Sequence, residues 1–133
     1  LKDKVAHAGL ADRVTFTGEL PFEQIPPIFS ALSMVSALSD NEGFGLTVLE
    51  AMSCGAAVLA TQAGAWEEII RQGIDGYVVP VNDQKAVTEK MKLMLSDLDK
   101  LADMGAAGQK HVEENYRVET EAKNLVDFFK TLQ

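Results

Sequence analysis

The chain has 133 residues, of which 47% are hydrophobic and 24% are charged, the balance of one ordinary globular domain. Its net charge is −8 and it has no run of Lys or Arg, which excludes the electrostatic footprint of a nucleic-acid-binding protein or of a surface for anionic lipid. No apolar run approaches the roughly 20 residues that a membrane-spanning helix needs.

Four short apolar runs, each bounded by turn or helix signals, predict strands. They cover residues 14–17, 34–38, 57–60 and 77–79. The second and third runs are nearly continuous in apolar residues, which is typical of strands that are covered on both faces. The runs therefore predict a mostly parallel sheet.

Helical patterns lie between the strands. The Pro-Pro pair at residues 26–27 suits the first turn of a helix that continues to residue 32, because early helical positions need no backbone donor. A second helix is predicted at about residues 45–54, ending at Gly55, and a shorter one at residues 66–71.

The last third of the chain has two apolar stripes at helical spacing. The first stripe comprises Val87, Met91, Met94 and Leu98, and the second comprises Val118, Ala122, Leu125, Phe129 and Leu132. Each stripe predicts an amphipathic helix. A helix between them, at residues 101–115, is predicted to be weaker because Gly105 and Gly108 interrupt it.

Strands that alternate with helices predict an α/β domain, whose ligands bind beyond the carboxyl ends of the strands. The loop at residues 39–45 follows a strand and opens a helix, where Gly43 and Gly45 have no side chain to keep a phosphate away from the helix amides. The following helix is apolar on most sides, so the carboxylate of Glu50 requires a cleft or a hydroxylated ligand such as ribose. Glu42, before the helix, would face a transferred sugar.

The segment EGFGLTVLEAMSCG resembles the E-x7-E motif of the retaining GT-B glycosyltransferases, especially glycosyltransferase family 4. The resemblance implies that Glu42 contacts the donor sugar in the catalytic centre and that Glu50 contacts the ribose. It also implies a donor-binding role for Gly43, Phe44, Gly45, Leu46 and Thr47, which would meet the sugar and the diphosphate, and for Gly18, Glu19 and Leu20, near the base.

The same resemblance implies a partial Rossmann-like, doubly wound parallel sheet, the C-terminal half of GT-B, followed by C-terminal helices. We expect one truncated nucleotide-sugar-binding domain at residues 1–133, with the sheet and donor site at 1–80 and the helices at 81–133. In the strand order 3-2-1-4-5-6, the four predicted strands match the third to the sixth. Either residues 14–17 then pair directly with the second predicted strand, or a second chain fills the gap, or the isolated chain folds poorly.

The resemblance further implies transfer of a hexosyl group from a UDP- or GDP-sugar to a hydroxyl of an acceptor glycan or glycolipid, with retention and with neither metal nor cofactor. The diphosphate-clamping Arg and Lys of the family lie upstream, and nothing in residues 1–41 matches them. We therefore expect an N-terminal acceptor domain outside this chain, which begins at Leu1 without an initiator Met. The alternative is a nucleotide-sugar-binding module, or an inactive fragment, without transferase activity.

Other features have simpler interpretations. A start without a signal-peptide layout and a single cysteine, Cys54, favour a cytoplasmic protein, to which the resemblance adds peripheral association with the inner face of the plasma membrane through the acceptor half. His7 and His111 are isolated, which favours surface or packing roles and no metal site. Trp66 either lines the cleft or packs in the core, and packing is favoured. Glu67 is explained equally well by a helix dipole and by function.

Overall fold

A computed structural model describes residues 1–131 of the chain, which form α-helices on a parallel β-sheet. The helices are α1 (Lys2–His7), α2 (Ile25–Ser30), α3 (Leu46–Ser53), α4 (Trp66–Ile69), α5 (Gln84–Leu95), α6 (Leu98–Asn115) and α7 (Val118–Thr131). The strands are β1 (Met34–Ala37), β2 (Ala57–Thr61) and β3 (Gly76–Val79), and 3-10 turns occur at Ala11–Arg13 and Phe22–Gln24. The predicted α/β class is confirmed. Over the described range, no helix is both long and apolar enough for a membrane span.

The sheet has the order β1-β2-β3, and both pairs of strands are parallel. Ala37 is opposite Ala60, and Thr61 is opposite Val79. This arrangement confirms three of the predicted strands in the expected order of the fourth, fifth and sixth. Because the strands are parallel, their carboxyl ends lie along one edge of the sheet.

Helices cover both faces of this sheet, as the doubly wound prediction requires. β2 is buried along its whole length. Val58 and Ala60 belong to a core cluster with α3 and α4, whereas Ala57 and Leu59 belong to a second cluster with α5 and α6. Burial on both faces explains why the strand reads as one continuous apolar run.

The first predicted strand, at residues 14–17, is wrong. Val14 has extended angles (φ −124°, ψ 120°), but among the described residues β1 pairs only with β2. Val14 and Phe16 remain 37% and 39% exposed. A strand requires a hydrogen-bonded neighbour, which an apolar pattern cannot supply by itself. Direct pairing with the second predicted strand, one of the three alternatives given above, is therefore not observed among the described residues.

The helix that was predicted to be weak, α6, is 18 residues long and packs closely on the domain. A Cβ at Gly105 would overlap the carbonyl oxygen of Gly55 and lie 3.2 Å from the backbone nitrogen of Ala57. A Cβ at Gly108 would lie 3.5 Å from the Met52 Cε. Gly105 thus allows α6 to approach the junction of α3 and β2, whereas a Cβ at Gly108 would make only an ordinary contact. The packing of α6 offsets a propensity penalty of about 1 kcal/mol for each glycine.

Two predicted helix ends are shifted. The first apolar stripe is divided between two helices, because Leu98 begins α6 and does not extend α5. Asp97 causes the break, since its carboxylate accepts from the Lys100 N–H at 3.0 Å and caps the new helix. The helix predicted at residues 66–71 ends earlier, because Ile70 is already extended (φ −90°, ψ 120°).

The second apolar stripe forms α7, but it does not enter the core. None of the described α7 residues is buried, and Val118 is 80% exposed. Phe128 and Phe129 are each 57% exposed. Leu132, the last residue of the predicted stripe, lies outside the described residues. Helical periodicity therefore predicted the helix correctly, but the burial of a helix depends on tertiary contacts that periodicity does not predict.

Candidate functional site

The site loop (residues 38–45) joins β1 to α3 at the carboxyl edge of the sheet. Its beginning is held by Thr61, the last residue of β2, which is 4% exposed. The Thr61 hydroxyl donates to the carbonyl oxygen of Ser39 and accepts from the Ser39 N–H at 3.1 Å. One buried side chain thus satisfies both backbone groups of Ser39, which fixes the direction in which the loop leaves the sheet.

The middle of the site loop lies against the loop that follows β2. Gly64 has a positive φ of 57°, and a Cβ there would lie 2.7 Å from the Gly43 carbonyl oxygen and 3.1 Å from the Glu42 Cβ. Both the backbone angle and this close approach favour glycine. Gly64 therefore determines how near Glu42 and Gly43 come to the end of β2.

The end of the site loop is Gly45, the N-cap of α3, with left-handed angles (φ 85°, ψ 52°). Its carbonyl oxygen accepts from the Val48 N–H at 3.2 Å and from the Trp66 Nε1 at 3.1 Å. Trp66 is 1% exposed and belongs to α4. The site loop is thus anchored at its beginning to the last residue of β2, and at its middle and end to the segment after β2.

The first turn of α3 is open to solvent. Phe44 and Leu46 are 52% and 61% exposed, and Thr47 is also exposed. The first N–H groups of a helix have no partner within the helix and carry the positive end of its dipole. The exposed residues of this turn, on either side of the buried Gly45, therefore offer backbone donors at the carboxyl edge of the sheet, an arrangement that suits an anion such as a phosphate.

Basic side chains are lacking around this turn in the sequence. No Lys or Arg occurs between residues 14 and 70. Arg71, the next basic residue, is paired with the fully buried Asp75, with Nε and Oδ2 2.6 Å apart. Residues 14–70 therefore offer an anion at the first turn of α3 backbone N–H groups but no cationic side chain.

Glu50 lies one turn further along α3 and is half-buried. It lines a cavity of about 220 Å³ together with residues of α2, the preceding 3-10 turn and the end of α3. These residues are Phe22, Ile25, Pro26, Phe29, Ser53 and Cys54. Within residues 1–131 the Glu50 carboxylate has no hydrogen-bond or ion-pair partner. A carboxylate at the rim of an apolar cavity can accept hydrogen bonds from a hydroxylated ligand.

The predicted base-proximal residues lie next to this cavity in the chain. Gly18 has a φ of 67°, Gly18 and Glu19 are exposed, and Leu20 is half-buried. Leu20 is followed after one residue by Phe22, which lines the Glu50 cavity. The association of Gly18, Glu19 and Leu20 with a base stays a prediction.

A shallow groove of about 400 Å³ runs along the carboxyl ends of the strands on the α5 side. Its lining includes Leu38 and Asp40 of the site loop, Thr61 of β2, and Asn82, Asp83, Gln84 and Val87 at the start of α5. Asn82 has a φ of 60°, and the Asp83 carboxylate accepts from the Ala86 N–H at 2.9 Å. The Asp83 carboxylate therefore caps the N-terminus of α5.

The supporting roles of Thr61 and Gly64 were not predicted from the sequence, and for Trp66 packing was favoured over a place in the cleft lining. Trp66 does pack in the core, and it also donates a hydrogen bond to the site loop. A polar residue ending an apolar strand was the available signal for Thr61. No comparable local signal existed for Trp66, whose acceptor is 21 residues away in the sequence.

The two histidines form hydrogen bonds with residues outside the site loop. His7 Nδ1 lies 2.6 Å from the Asp3 carbonyl oxygen, and His111 Nδ1 lies 3.1 Å from the Asn115 Nδ2. In the part of the chain that the structure describes, no three His, Cys, Asp or Glu side chains cluster closely enough to hold a metal ion.

The sequence of the chain matches a known protein family. A family model described as "Glycosyl transferases group 1" matches residues 1–111. The chain is 37% identical over 134 aligned residues to the lipopolysaccharide core biosynthesis mannosyltransferase LpsB of Rhizobium meliloti (strain 1021), covering 99% of this chain and 38% of that protein. It is 35% identical to the GDP-mannose-dependent alpha-(1-6)-phosphatidylinositol monomannoside mannosyltransferase of Mycobacterium tuberculosis, covering 96% of this chain and 35% of that protein.

Solved structures show the same fold. The C-terminal domain of a glycosyl transferase group 1 family protein (LpcC) from Francisella tularensis superimposes with a TM-score of 0.81 at 36% identity, over 87% of this chain and 60% of that one. Anabaena Alr3699/HepE in complex with UDP superimposes with a TM-score of 0.85 at 25% identity, over 97% of this chain and 35% of that one. The chain spans little more than a third of the length of the two curated relatives.

Proposed function

Because the chain belongs to the glycosyl transferases group 1 family, we propose that it supplies the donor-binding half of a hexosyltransferase that uses a nucleoside diphosphate sugar. The reaction transfers the hexosyl group to an acceptor hydroxyl with retention at the anomeric carbon and without a metal. The acceptor glycan or glycolipid is bound by an N-terminal domain beyond this chain. Peripheral membrane association through that domain, at the cytoplasmic face, belongs to the same proposal.

The observation that carries this proposal is the position of residues 42–50 at the carboxyl edge of the parallel sheet. The exposed first turn of α3 offers its N–H groups to the diphosphate. Glu50, one turn along, accepts from the ribose hydroxyls at the rim of its cavity. Glu42, held beside Gly64, faces the donor sugar. Three anchors, on the last residue of β2 and on the segment after it, keep this turn in place before a ligand arrives.

A GDP- or UDP-sugar is the proposed donor, and GDP-mannose is the first to test. Both curated relatives described above are named mannosyltransferases, and one is named as GDP-mannose-dependent. The complex of Anabaena Alr3699/HepE contains UDP. Calorimetry of the complete encoded protein with GDP and UDP, followed by their mannose, glucose and N-acetylglucosamine conjugates, identifies the base and the sugar. Absence of binding to all of them would contradict the proposal.

Glu50→Ala tests the ribose contact. Loss of a charge-assisted acceptor should weaken nucleotide binding by about 1 to 3 kcal/mol while the protein stays folded. Glu89→Ala is the matched control, because Glu89 is an exposed carboxylate on α5 whose nearest cation, Lys85, is 3.9 Å away. Unchanged affinity in Glu50→Ala would remove the ribose contact from the proposal.

Glu42→Gln tests the sugar contact separately. Turnover with the sugar nucleotide should fall more than affinity for free GDP or UDP, because the free nucleotide has no hexose. Equal losses in both measurements would reassign Glu42 to the phosphates or to loop structure. Nucleotide binding by the wild-type protein without any transfer would favour a non-catalytic nucleotide-sugar-binding module.

A further inference from the structure

The indole of Trp66 is a buried side chain that reaches the nucleotide-binding turn without being exposed to it. Its Nε1 donates to the Gly45 carbonyl oxygen at 3.1 Å, and the residue is 1% exposed. A buried indole N–H requires an acceptor for its own sake, so the bond alone does not establish a functional role. The identity of the acceptor is informative, because Gly45 is the N-cap of α3, whose first two residues, Leu46 and Thr47, are exposed.

The Gly45 carbonyl belongs to the same peptide plane as the Leu46 N–H. A peptide unit is planar and trans, so a carbonyl that is fixed at one side fixes the direction of the N–H at the other. Val48 and Trp66 donate to this oxygen from different elements, α3 and α4. The bond from α3 moves with the helix. The bond from Trp66 is the one that fixes the peptide in relation to the segment after β2.

The indole lies so close to Gly45 that a side chain at position 45 would not fit. A Cβ at Gly45 would overlap the Trp66 Nε1 and lie 2.6 Å from its Cε2 and 2.8 Å from its Cδ1. Gly45 also has a φ of 85°, which side chains rarely adopt. The indole thus occupies the space that a side chain at position 45 would fill, and it contacts the backbone of Gly45 directly.

We propose that Trp66 is a positioning residue for the donor diphosphate, which acts by orienting the Gly45–Leu46 peptide through its indole N–H. The inference rests on the proposed function of residues 43–47. Residues 14–70 contain no Lys or Arg, so the donors that this stretch offers a diphosphate are backbone N–H groups, and their orientation matters for binding.

The test separates the N–H from the shape of the side chain. In the complete encoded protein, position 66 is replaced site-specifically by benzothienylalanine, in which sulfur replaces the N–H, and by 7-azatryptophan, which retains it. Affinities for GDP and UDP are measured by calorimetry. For the nucleotide that the wild type binds, the benzothienyl protein should lose about tenfold in affinity, as expected for one hydrogen bond, and the azatryptophan protein less than about twofold.

Two further measurements test whether a loss of nucleotide affinity results from a general loss of stability. Leu101→Ala removes a buried side chain from the core cluster on the other face of the sheet, so it should lower the melting temperature more than either analogue and leave nucleotide affinity unchanged. In a transfer assay, kcat/KM for the sugar nucleotide should fall in the benzothienyl protein in proportion to nucleotide affinity, while KM for the acceptor stays constant.

Wild-type affinity in the benzothienyl protein would overturn the positioning role and leave the proposed function intact. An equal loss in Leu101→Ala would also overturn it, because the effect would then follow stability. If the wild-type protein binds neither GDP nor UDP, the proposed function fails and the inference fails with it.

Discussion

The central region (residues 34–115) and the two flanks (residues 1–30 and 118–131) use apolar residues differently. All buried hydrophobic residues of the described chain lie in the central region, from Val48 to Met104. The helical elements of the flanks, α1, α2, α7 and both 3-10 turns, contain no buried residue. Yet the flanks have large apolar side chains, including Phe22, which is 71% exposed.

The difference shows that amphipathic pattern and burial are separate properties. α6 contains two glycines that weaken an isolated helix, but it packs on α3 and β2. α7 has the more regular apolar stripe, but none of its described residues is buried. Tertiary packing supplies most of the stability of a protein helix. We therefore expect substitutions to have large effects in the central region and small effects in the flanks.

Leu101→Ala should produce the largest effect. Leu101 is 2% exposed and contributes to the core cluster beneath α6. Truncation of a buried leucine should lower the free energy of unfolding by about 3 kcal/mol, measured by urea denaturation of the 133-residue chain. Leu93→Ala, on the half-exposed face of α5, is the control and should change it by less than about 0.5 kcal/mol. Equal effects would show that the assigned core is incorrect.

Gly105→Ala should have the next largest effect on the free energy of unfolding. The added Cβ would overlap the Gly55 carbonyl oxygen, so α6 must move, which should lower the free energy of unfolding by about 2 kcal/mol. Gly108→Ala lies one turn away, and its Cβ would be 3.4 Å from the Asp75 Cβ, an ordinary contact. Helix propensity should then dominate and stabilise the chain by up to about 1 kcal/mol. Stabilisation by both substitutions would contradict the close packing of α6 described above.

Thr61→Val should have an intermediate effect. It preserves the shape of the side chain but leaves the N–H and C=O of Ser39 without their partner, so the free energy of unfolding should fall by about 1 kcal/mol. Nucleotide affinity should fall as well, because Ser39 begins the site loop. Thr61→Ser retains the hydroxyl and should retain most of the affinity. Loss of affinity in Thr61→Ser but not in Thr61→Val would indicate that the methyl group is the important feature.

Leu125→Ala should have the smallest effect. Leu125 is 56% exposed on α7, so its truncation in the 133-residue chain should change the free energy of unfolding by less than about 0.5 kcal/mol. Chemical denaturation of this variant beside Leu101→Ala measures the contrast between the two regions directly. A loss comparable to that in Leu101→Ala would mean that α7 is packed in solution.

The sequence by itself determined the α/β class, three of the four predicted strands, their parallel order and the placement of residues 43–47 at a helix N-terminus. The class, the strands, their parallel direction and the helix N-terminus follow from local signals: continuous apolar runs, helical spacing, and glycines between a strand and a helix. The order of the strands followed from the family resemblance. The family also followed from a local motif, Glu42 and Glu50 with glycines between them, and the match over residues 1–111 confirms it. The contacts of the individual site residues with a donor stay predictions.

Only the tertiary structure shows which predicted elements pair or pack with another part of the chain. The pattern of residues 14–17 predicts a strand, but within the described residues 1–131 this segment pairs with no other strand. Gly105 was predicted to weaken its helix, but it lies against Gly55, 50 positions away in the sequence. Trp66 reads as a core residue, and only its contact with Gly45 shows that it also holds the first peptide of α3. Each outcome depends on residues that the chain brings together across long sequence separations, where periodicity and propensity carry no information.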